Sequence, residues 1–347
     1  MKIKRTEILK ALKAVKPGLA NNSIIKQMEY VMFTGQDLIT YNEQISIIYP
    51  FETDFEAAVN YNDLYKIVSK IKKAEINLTL DENELLLTAE KTKAGLVIMD
   101  TEDIDSHLKG LRQQLPDESD LEWKAIPDDF IKGALLCIPA AAADKTQGVF
   151  TCLSVDGVDL VCSDNQRISW YTLQEDIGTE FFISSSSIKE LAVMKIKQFC
   201  VSESWVHFLL DSDVIFSTRL IKPENGESLN YFLDLFDDFT GTTVELPDGL
   251  KEVVESAAVM AEDDAAKNMR ITLRQGELLC ETRKNRGWFE KPIDMDYDEE
   301  PITFQVSATF LQQILNLPLK MTAREDRSLF ESGSFKHLLL HKVSKNE

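Results

Sequence analysis

The sequence has no apolar run approaching the roughly 20 residues that a membrane-spanning helix needs. Its five cysteines, Cys137, Cys152, Cys162, Cys200 and Cys280, form no CxxC pair and no zinc-ligand spacing. An odd number without such spacing argues against a disulfide scaffold and for reduced thiols in a cytoplasmic protein. The opening residues MKIKRTEILKALKAVK lack the continuous apolar core of a secretory signal, which points the same way. Chemistry is equally scarce. There is no GxxxxGK[ST] phosphate loop, no GxGxxG after a strand, no HExxH and no GxSxG. Of the four histidines, His107, His207, His337 and His341, only the last two share a suggestive spacing. In a strand those four residues span about 13 Å, too far to hold one metal ion. Residues 294–305 begin like a calcium loop, yet Glu299 stands where the sharp turn needs Gly, and Gln305 where the bidentate Glu belongs. Carboxylate pairs such as Asp211/Asp213 and Asp237/Asp238 are too common in this chain to nominate a catalytic pair. The expectation is no catalytic residue, no metal and no cofactor.

What is present is repetition. About every 120 residues the chain restates one pattern, and periodicity at that scale means copies of a small fold rather than one large core. A helix-period stretch opens each pass, at 6–19, 128–142 and 246–261. Two alternating strands around a turn follow: VMFTGQDLITYNEQISI, FTCLSVDGVDLVCSDNQRIS and RITLRQGELLCETRKNRGWF. A second helix comes next, at 61–73, 185–197 and 307–317. Each pass then closes on another strand–turn–strand run, so each copy is itself doubled. The predicted domains are 1–121, 122–243 and 244–347. Each is α+β, with two amphipathic helices laid on one face of an antiparallel sheet.

Charge looks at first like an argument against nucleic acid, because the formal net is −20. Position qualifies the total. In the first helix Ile8, Leu9, Leu12 and Val15 form the apolar stripe, and Lys10 and Lys13 point away from it. In the second, Leu64, Ile67, Val68 and Ile71 are the stripe, with Lys66, Lys70 and Lys73 opposite. Lys132, Lys189, Lys197 and Lys251 take polar or flanking positions of the later helices. Lysines on any single helix face are ordinary solvation. Two successive helices with lysine-only outer faces, in so acidic a chain, point to a segregated basic surface.

Four segments carry a resemblance to a known family. SDNQRISW (163–170) is similar to a T-D-G-H-R-L-A segment, LKEVVESAAVM to a helix ending in A-A-I-L, and MRITLRQGELLCETRKN to V-R-L-x-V-x-x-N-x-L-x-I-T-A-x-N. FKHLLLHKV (335–343) resembles the C-terminal Y-x-V-V-M-P-M-R-L. In that order and spacing they resemble the bacterial-type DNA polymerase III beta subunit, the sliding clamp, over essentially the whole chain. Asn165 and Gln166 depart from the family's Gly and His, and His341 from its Pro. Such divergence suggests a phage- or plasmid-encoded member.

The resemblance implies a processivity factor that is not an enzyme. Two chains would join head to tail into a ring around duplex DNA, in the bacterial cytoplasm or nucleoid and away from membranes. It would tether the polymerase and the clamp loader without base-specific contacts. The lysines named above would line the channel. Arg167, Ile168, Phe232, Leu233, Leu340 and His341 would form an apolar pocket for short partner peptides, with Tyr231 nearby. The dimer seam would join strands at 94–99 and 286–295, using Leu96, Ile98, Val259, Met260, Trp288 and Phe289. Two other readings are an acidic DNA mimic of similar fold, favoured only by Glu252 and Glu255 on one helix, and a carboxylate-based hydrolase, which would need converging acids.

Overall fold

The structure, a computed structural model, describes residues 1–20, 24–99, 122–223, 228–261, 268–284 and 287–342. Leu121, Arg286 and Val343, which bound segments named above, and His107 lie outside them. The chain divides into two compact units, Met1–Ile126 with Lys189–Leu220, and Pro127–Ile188 with Ile221–Glu347. Every strand pairing is antiparallel within an α+β arrangement.

Among the described residues, each unit holds one eight-stranded and one four-stranded sheet. In the first unit the long sheet runs Glu56–Asn60, Tyr30–Thr34, Asp37–Tyr41, Ile45–Pro50, Ile215–Arg219, Trp205–Leu210, Ile196–Val201, Lys124–Ala125. In the second it runs Glu180–Ser184, Cys152–Asp156, Asp159–Ser163, Arg167–Thr172, Phe335–Leu340, Arg327–Ser332, Lys320–Ala323, Thr242–Glu245. Both sheets obey one rule. The first-half strands of one sequence copy are completed by the second-half strands of the next copy. The junctions are Ile45–Pro50 against Ile215–Arg219, and Arg167–Thr172 against Phe335–Leu340.

The rule leaves two halves over. The second half of the first copy, with Lys2–Lys4 from that copy's start, forms the sheet Lys2–Lys4, Glu75–Asp81, Glu84–Ala89, Thr92–Val97, and the first half of the third copy forms Gly287–Asp294, Glu277–Lys284, Asn268–Arg274, Ile302–Ser307. Thr92–Val97 and Gly287–Asp294 each end a four-stranded sheet as an edge strand.

Six α-helices stand among the described residues: α1 Arg5–Val15, α2 Tyr61–Lys70, α3 Phe130–Cys137, α4 Ser185–Leu191, α5 Leu250–Met260 and α6 Ala308–Ile314. In α1 the stripe Ile8, Ala11, Leu12, Val15 is buried, as the 3.6-residue period requires. Arg5 donates from Nε to Val68 O (3.0 Å) and from Nη2 to Ser69 O (2.7 Å), tying the start of α1 to carbonyls near the end of α2. Asn60 caps α2 by accepting from the Asp63 amide, and Ser307 caps α6 by accepting from Phe310. On α3, a Cβ at Gly133 would run into the Tyr171 ring, so glycine is what brings the helix down on the sheet.

The helices are shorter than the sequence pattern implies. The chain turns out of α4 at Leu191, and Lys197 lies on the strand Ile196–Val201 instead of a helix. Lys73 lies three residues past α2. No helix among the described residues is long and apolar enough to cross a membrane.

Candidate partner groove and nucleic-acid interface

At the junction of the second unit, alternation sorts the strand residues onto two faces. Ile168 pairs with Leu338 and Trp170 with Lys336 on one face, and Arg167 pairs with Leu339 and Ser169 with His337 on the other. Ile168, Leu338 and Leu329 of the next strand are buried in one apolar cluster with Val149, Cys152, Val161 and Phe182. Over them pass Leu229 and Phe236, with Phe232 and Leu233 partly buried against the same cluster. Leu340, at the end of its strand, stays 43% exposed. Beside this face is a cleft of about 710 Å³ bounded by residues 146–150 and 164–166, Ile221 and Lys222. Its floor is apolar at Val149 and Phe150, and its rim carries the exposed Gln147, Asn165, Gln166 and Lys222.

Two residues expected at this pocket are committed to internal packing. Arg167 is 5% exposed and uses all three donor nitrogens. Nε donates to Asp164 (2.9 Å), and the two Nη groups donate to Gln313 Oε1 and Pro139 O. The guanidinium lies 3.7 Å from the Phe310 ring centroid. Burial pulls its pKa down and the Asp164 carboxylate opposes that pull. His341 is also turned inward, stacked on Phe304 at 4.2 Å between centroids. Its Nδ1 donates to Glu325 O (3.1 Å) and its Nε2 accepts from Ser328 (2.8 Å). Burial keeps its pKa below the usual histidine range. Asn165, where the family has Gly, sits at φ 65°, a conformation that asparagine tolerates better than most residues.

The first unit builds the same junction from different side chains. The Asn42 side chain accepts from the Gln44 and Ile45 amides, as the Asp164 side chain does from Gln166 and Arg167. Glu43 takes φ 69°, and the Arg219 amide donates to Gln44 O as the Leu340 amide does to Gln166 O. With the backbones matched, Ser46, Ser217 and His207 occupy the positions of Ile168, Leu338 and Leu329. His207 Nδ1 is 2.8 Å from Ser217 Oγ, and Nε2 is 3.0 Å from Ser202 Oγ. Arg219, in the place of Leu340, lies over Trp205 at 4.7 Å. One junction is therefore polar and ends in an arginine laid over Trp205, and the other is apolar and ends in an exposed leucine.

The lysines divide by environment. Lys10, Lys13, Lys66 and Lys70 are exposed on α1 and α2 and make no ion pair among the described residues. Lys132 on α3 and Lys189 on α4 are exposed likewise. Lys73 is paired with Glu90, and Lys197 lies 3.8 Å from both Asp211 and Asp213. Lys251 donates to Asn316 Oδ1 (2.6 Å) and is 3.9 Å from Glu255.

The expected seam residues also divide. Trp288 and Val259 are 64% and 62% exposed, and Met260, Phe289 and Ile98 are half-buried. Leu96 faces its own core, and the next residue, Val97, is 70% exposed on the opposite face. Sequence reading had not picked out Val97, Leu338, Trp170 or Phe236. The pleat finds the first three: Val97 is on the face opposite Leu96, Trp170 is on the face of Ile168, and Leu338 is on the face of Leu340. Among the described residues no group of three or more His, Cys, Asp or Glu could hold a metal ion.

No protein-family model and no curated protein matches the sequence. Solved structures do match. The DNA polymerase III beta chain from Streptococcus pneumoniae superposes with a TM-score of 0.85 at 17% identity, covering 99% of each chain. The beta subunit from the DNA polymerase of Streptococcus pyogenes gives 0.84 at 18%, again with 99% of each chain covered. The C. crescentus beta sliding clamp gives 0.83 at 16%, covering 99% of this chain and 98% of that one. Over its length, this chain has the fold of the bacterial DNA polymerase III beta sliding clamps.

Proposed function

We propose that this protein is a DNA sliding clamp, a non-enzymatic processivity factor that encircles duplex DNA and tethers a polymerase and a clamp loader. The observation that carries the reading is the completion rule of the sheets. Twice within the chain, the first half of one copy is completed by the second half of the next. The first half of the third copy and the second half of the first copy remain as four-stranded sheets with open edges. Open edges must be paired or covered. Applying the same rule between two chains pairs Gly287–Asp294 of one with Thr92–Val97 of the other. A head-to-tail dimer closes because two copies complete the circle. Its domains are 1–121, 122–243 and 244–347. Transferring the register of the two internal junctions sets Leu96 opposite Phe289 and Val97 opposite Trp288, with Ile98, Val259 and Met260 alongside.

The clamp holds DNA by topology. Lys10, Lys13, Lys66, Lys70, Lys132 and Lys189 offer free ammonium groups to phosphates, with Lys73, Lys197 and Lys251 as weaker contributors because carboxylates or Asn316 already engage them. Attraction of that kind is weak and salt-sensitive, which is what sliding requires. Work inside the bacterial cytoplasm or nucleoid follows, whether host- or phage-encoded.

Partners dock by a short extended peptide in the apolar groove of the second unit. Ile168 and Leu340 receive two apolar anchors at the place where the linker side chains Phe232 and Leu233 lie, and Arg167 and His341 act from below by fixing the strands. Two buried anchors contribute about 3–6 kcal/mol gross, so micromolar affinity is the ceiling after ordering costs. The test is titration of a labelled peptide carrying the C-terminal motif of the cognate polymerase. Leu340→Ser should weaken binding about tenfold with no change in fold; equal affinity for both proteins would sink the pocket assignment.

A further inference from the structure

The groove is already filled. Its floor of Ile168, Leu329 and Leu338 is covered by residues 229–236 of the same chain, whose ends Leu229 and Phe236 are 0% and 5% exposed. Phe236 meets Trp170 edge-on at 5.3 Å, and Phe232 lies 6.2 Å from Phe150 and 4.0 Å from Tyr231. We infer that residues 229–236 form a displaceable strap, and that an incoming apolar peptide competes with it instead of entering an empty site. The competitor's identity follows the partner reading above; the strap follows from packing alone.

Three observations separate a strap from a wall. First, among the described residues no backbone hydrogen bond joins residues 229–237 to a strand of the sheet. The Phe232 amide donates to Leu229 O and the Asp237 amide to Asp234 O, both inside the segment. Two polar ties run out of it, both from Asn230: its amide donates to Ser228 Oγ (3.2 Å) and its Nδ2 to Asp156 Oδ2 (2.6 Å). Second, the segment holds Tyr231 and Leu235 out at 59% and 38% exposure, so it spends apolar side chains on solvent while only its ends are sealed. Third, the matched junction of the first unit carries the buried polar Ser46, Ser217 and His207 in place of the apolar floor, and Arg219, in the place of Leu340, lies over Trp205. An apolar floor in water must be covered by something. The strap covers it when no partner does.

Displacement costs binding free energy in proportion to how fully the strap is seated, because only the open fraction accepts a peptide. The probe is a fluorescein-labelled synthetic peptide of residues 229–237, a second copy of the strap supplied in trans. It is titrated against wild type and a Leu229→Ser, Phe236→Ser double variant, which unseals the two buried ends of the strap and leaves the floor of Ile168, Leu329 and Leu338 intact. The variant should bind at least roughly tenfold more tightly than wild type. Equal affinity, or binding to neither, would overturn the strap. Hydrogen exchange on wild type serves as a second measurement. The Phe232 and Asp237 amides should exchange at least about 100-fold faster than strand amides at Ile168 and Leu338, and equal protection would contradict the inference. The Leu340→Ser assay with the polymerase peptide reports on the partner reading separately, so the two can fail independently.

Discussion

Ser169 and His337 face each other directly across the strand junction of the second unit, Oγ to Nδ1 at 2.7 Å, with both residues fully buried. The bond joins the middle and third sequence copies inside one sheet. Burial, with a smaller push from Arg167, drives the His337 pKa down to about 3. Burial likewise drives His207, bonded to Ser202 and Ser217, down to about 4.

These histidines make stability fall in mild acid. Both are neutral in the fold and have an ordinary value near 6.5 when unfolded, so above about pH 6.5 they add no pH dependence. Below it the unfolded chain takes up protons that the fold refuses. Each contributes a loss on the order of 1.4 kcal/mol per pH unit, continuing down toward the folded pKa values of about 4 and 3. Urea midpoints should therefore drop between pH 7 and pH 5, and His337→Leu should reduce the slope by about one proton. A flat profile in the wild type would mean these rings are solvated.

The DNA reading rests on lysines that are free to leave their own surface. Changing Lys10, Lys13, Lys66 and Lys70 together to Glu should abolish processivity and leave folding and oligomeric state unchanged. Each lost phosphate contact should lower the slope of log K against log salt by about 0.9. The same exchange at Lys73, Lys197 and Lys251 should do much less, since those ammonium groups are already engaged. Unchanged retention on circular DNA in the first variant would remove the channel assignment.

The seam register is testable by chemistry. All five native cysteines are buried, so a pair introduced at the surface reacts alone. Val97→Cys with Trp288→Cys should form, on oxidation, a covalent species of two chains joined by two bridges. Either single variant should remain uncrosslinked. Crosslinking of Leu80→Cys with Trp288→Cys at the same rate would show that contact there is non-specific.

The local structure was legible in the sequence where one face of an element is buried. Ile8, Leu12 and Val15 announced α1, and Leu64 and Val68 announced α2, because burial at the helical period leaves little else for them to do. The three-fold repetition of paired strands was legible for the same reason. What was not legible was which halves meet. Pairing of Ile45–Pro50 with Ile215–Arg219 is made by backbone groups that every residue carries, so no side chain advertises it. Positions one residue apart on a strand were also blurred. Leu96 and Val97 look alike as residues, yet the pleat sends one to the core and the other to solvent. The family resemblance implies Arg167 and His341 as pocket residues beside Ile168 and Leu340. Alternation turns both to the opposite face, where Asp164, Gln313, Pro139, Glu325 and Ser328 satisfy them.

Everything in the account depends on the two leftover half-sheets finding each other in a second copy of the chain. Sedimentation equilibrium at micromolar concentration measures that directly. One chain weighs 39.4 kDa, so the account predicts a single species at twice that mass, about 79 kDa, falling to one chain when Val97 and Trp288 are both replaced by Lys. A wild-type mass of 39.4 kDa across the concentration range would contradict the ring.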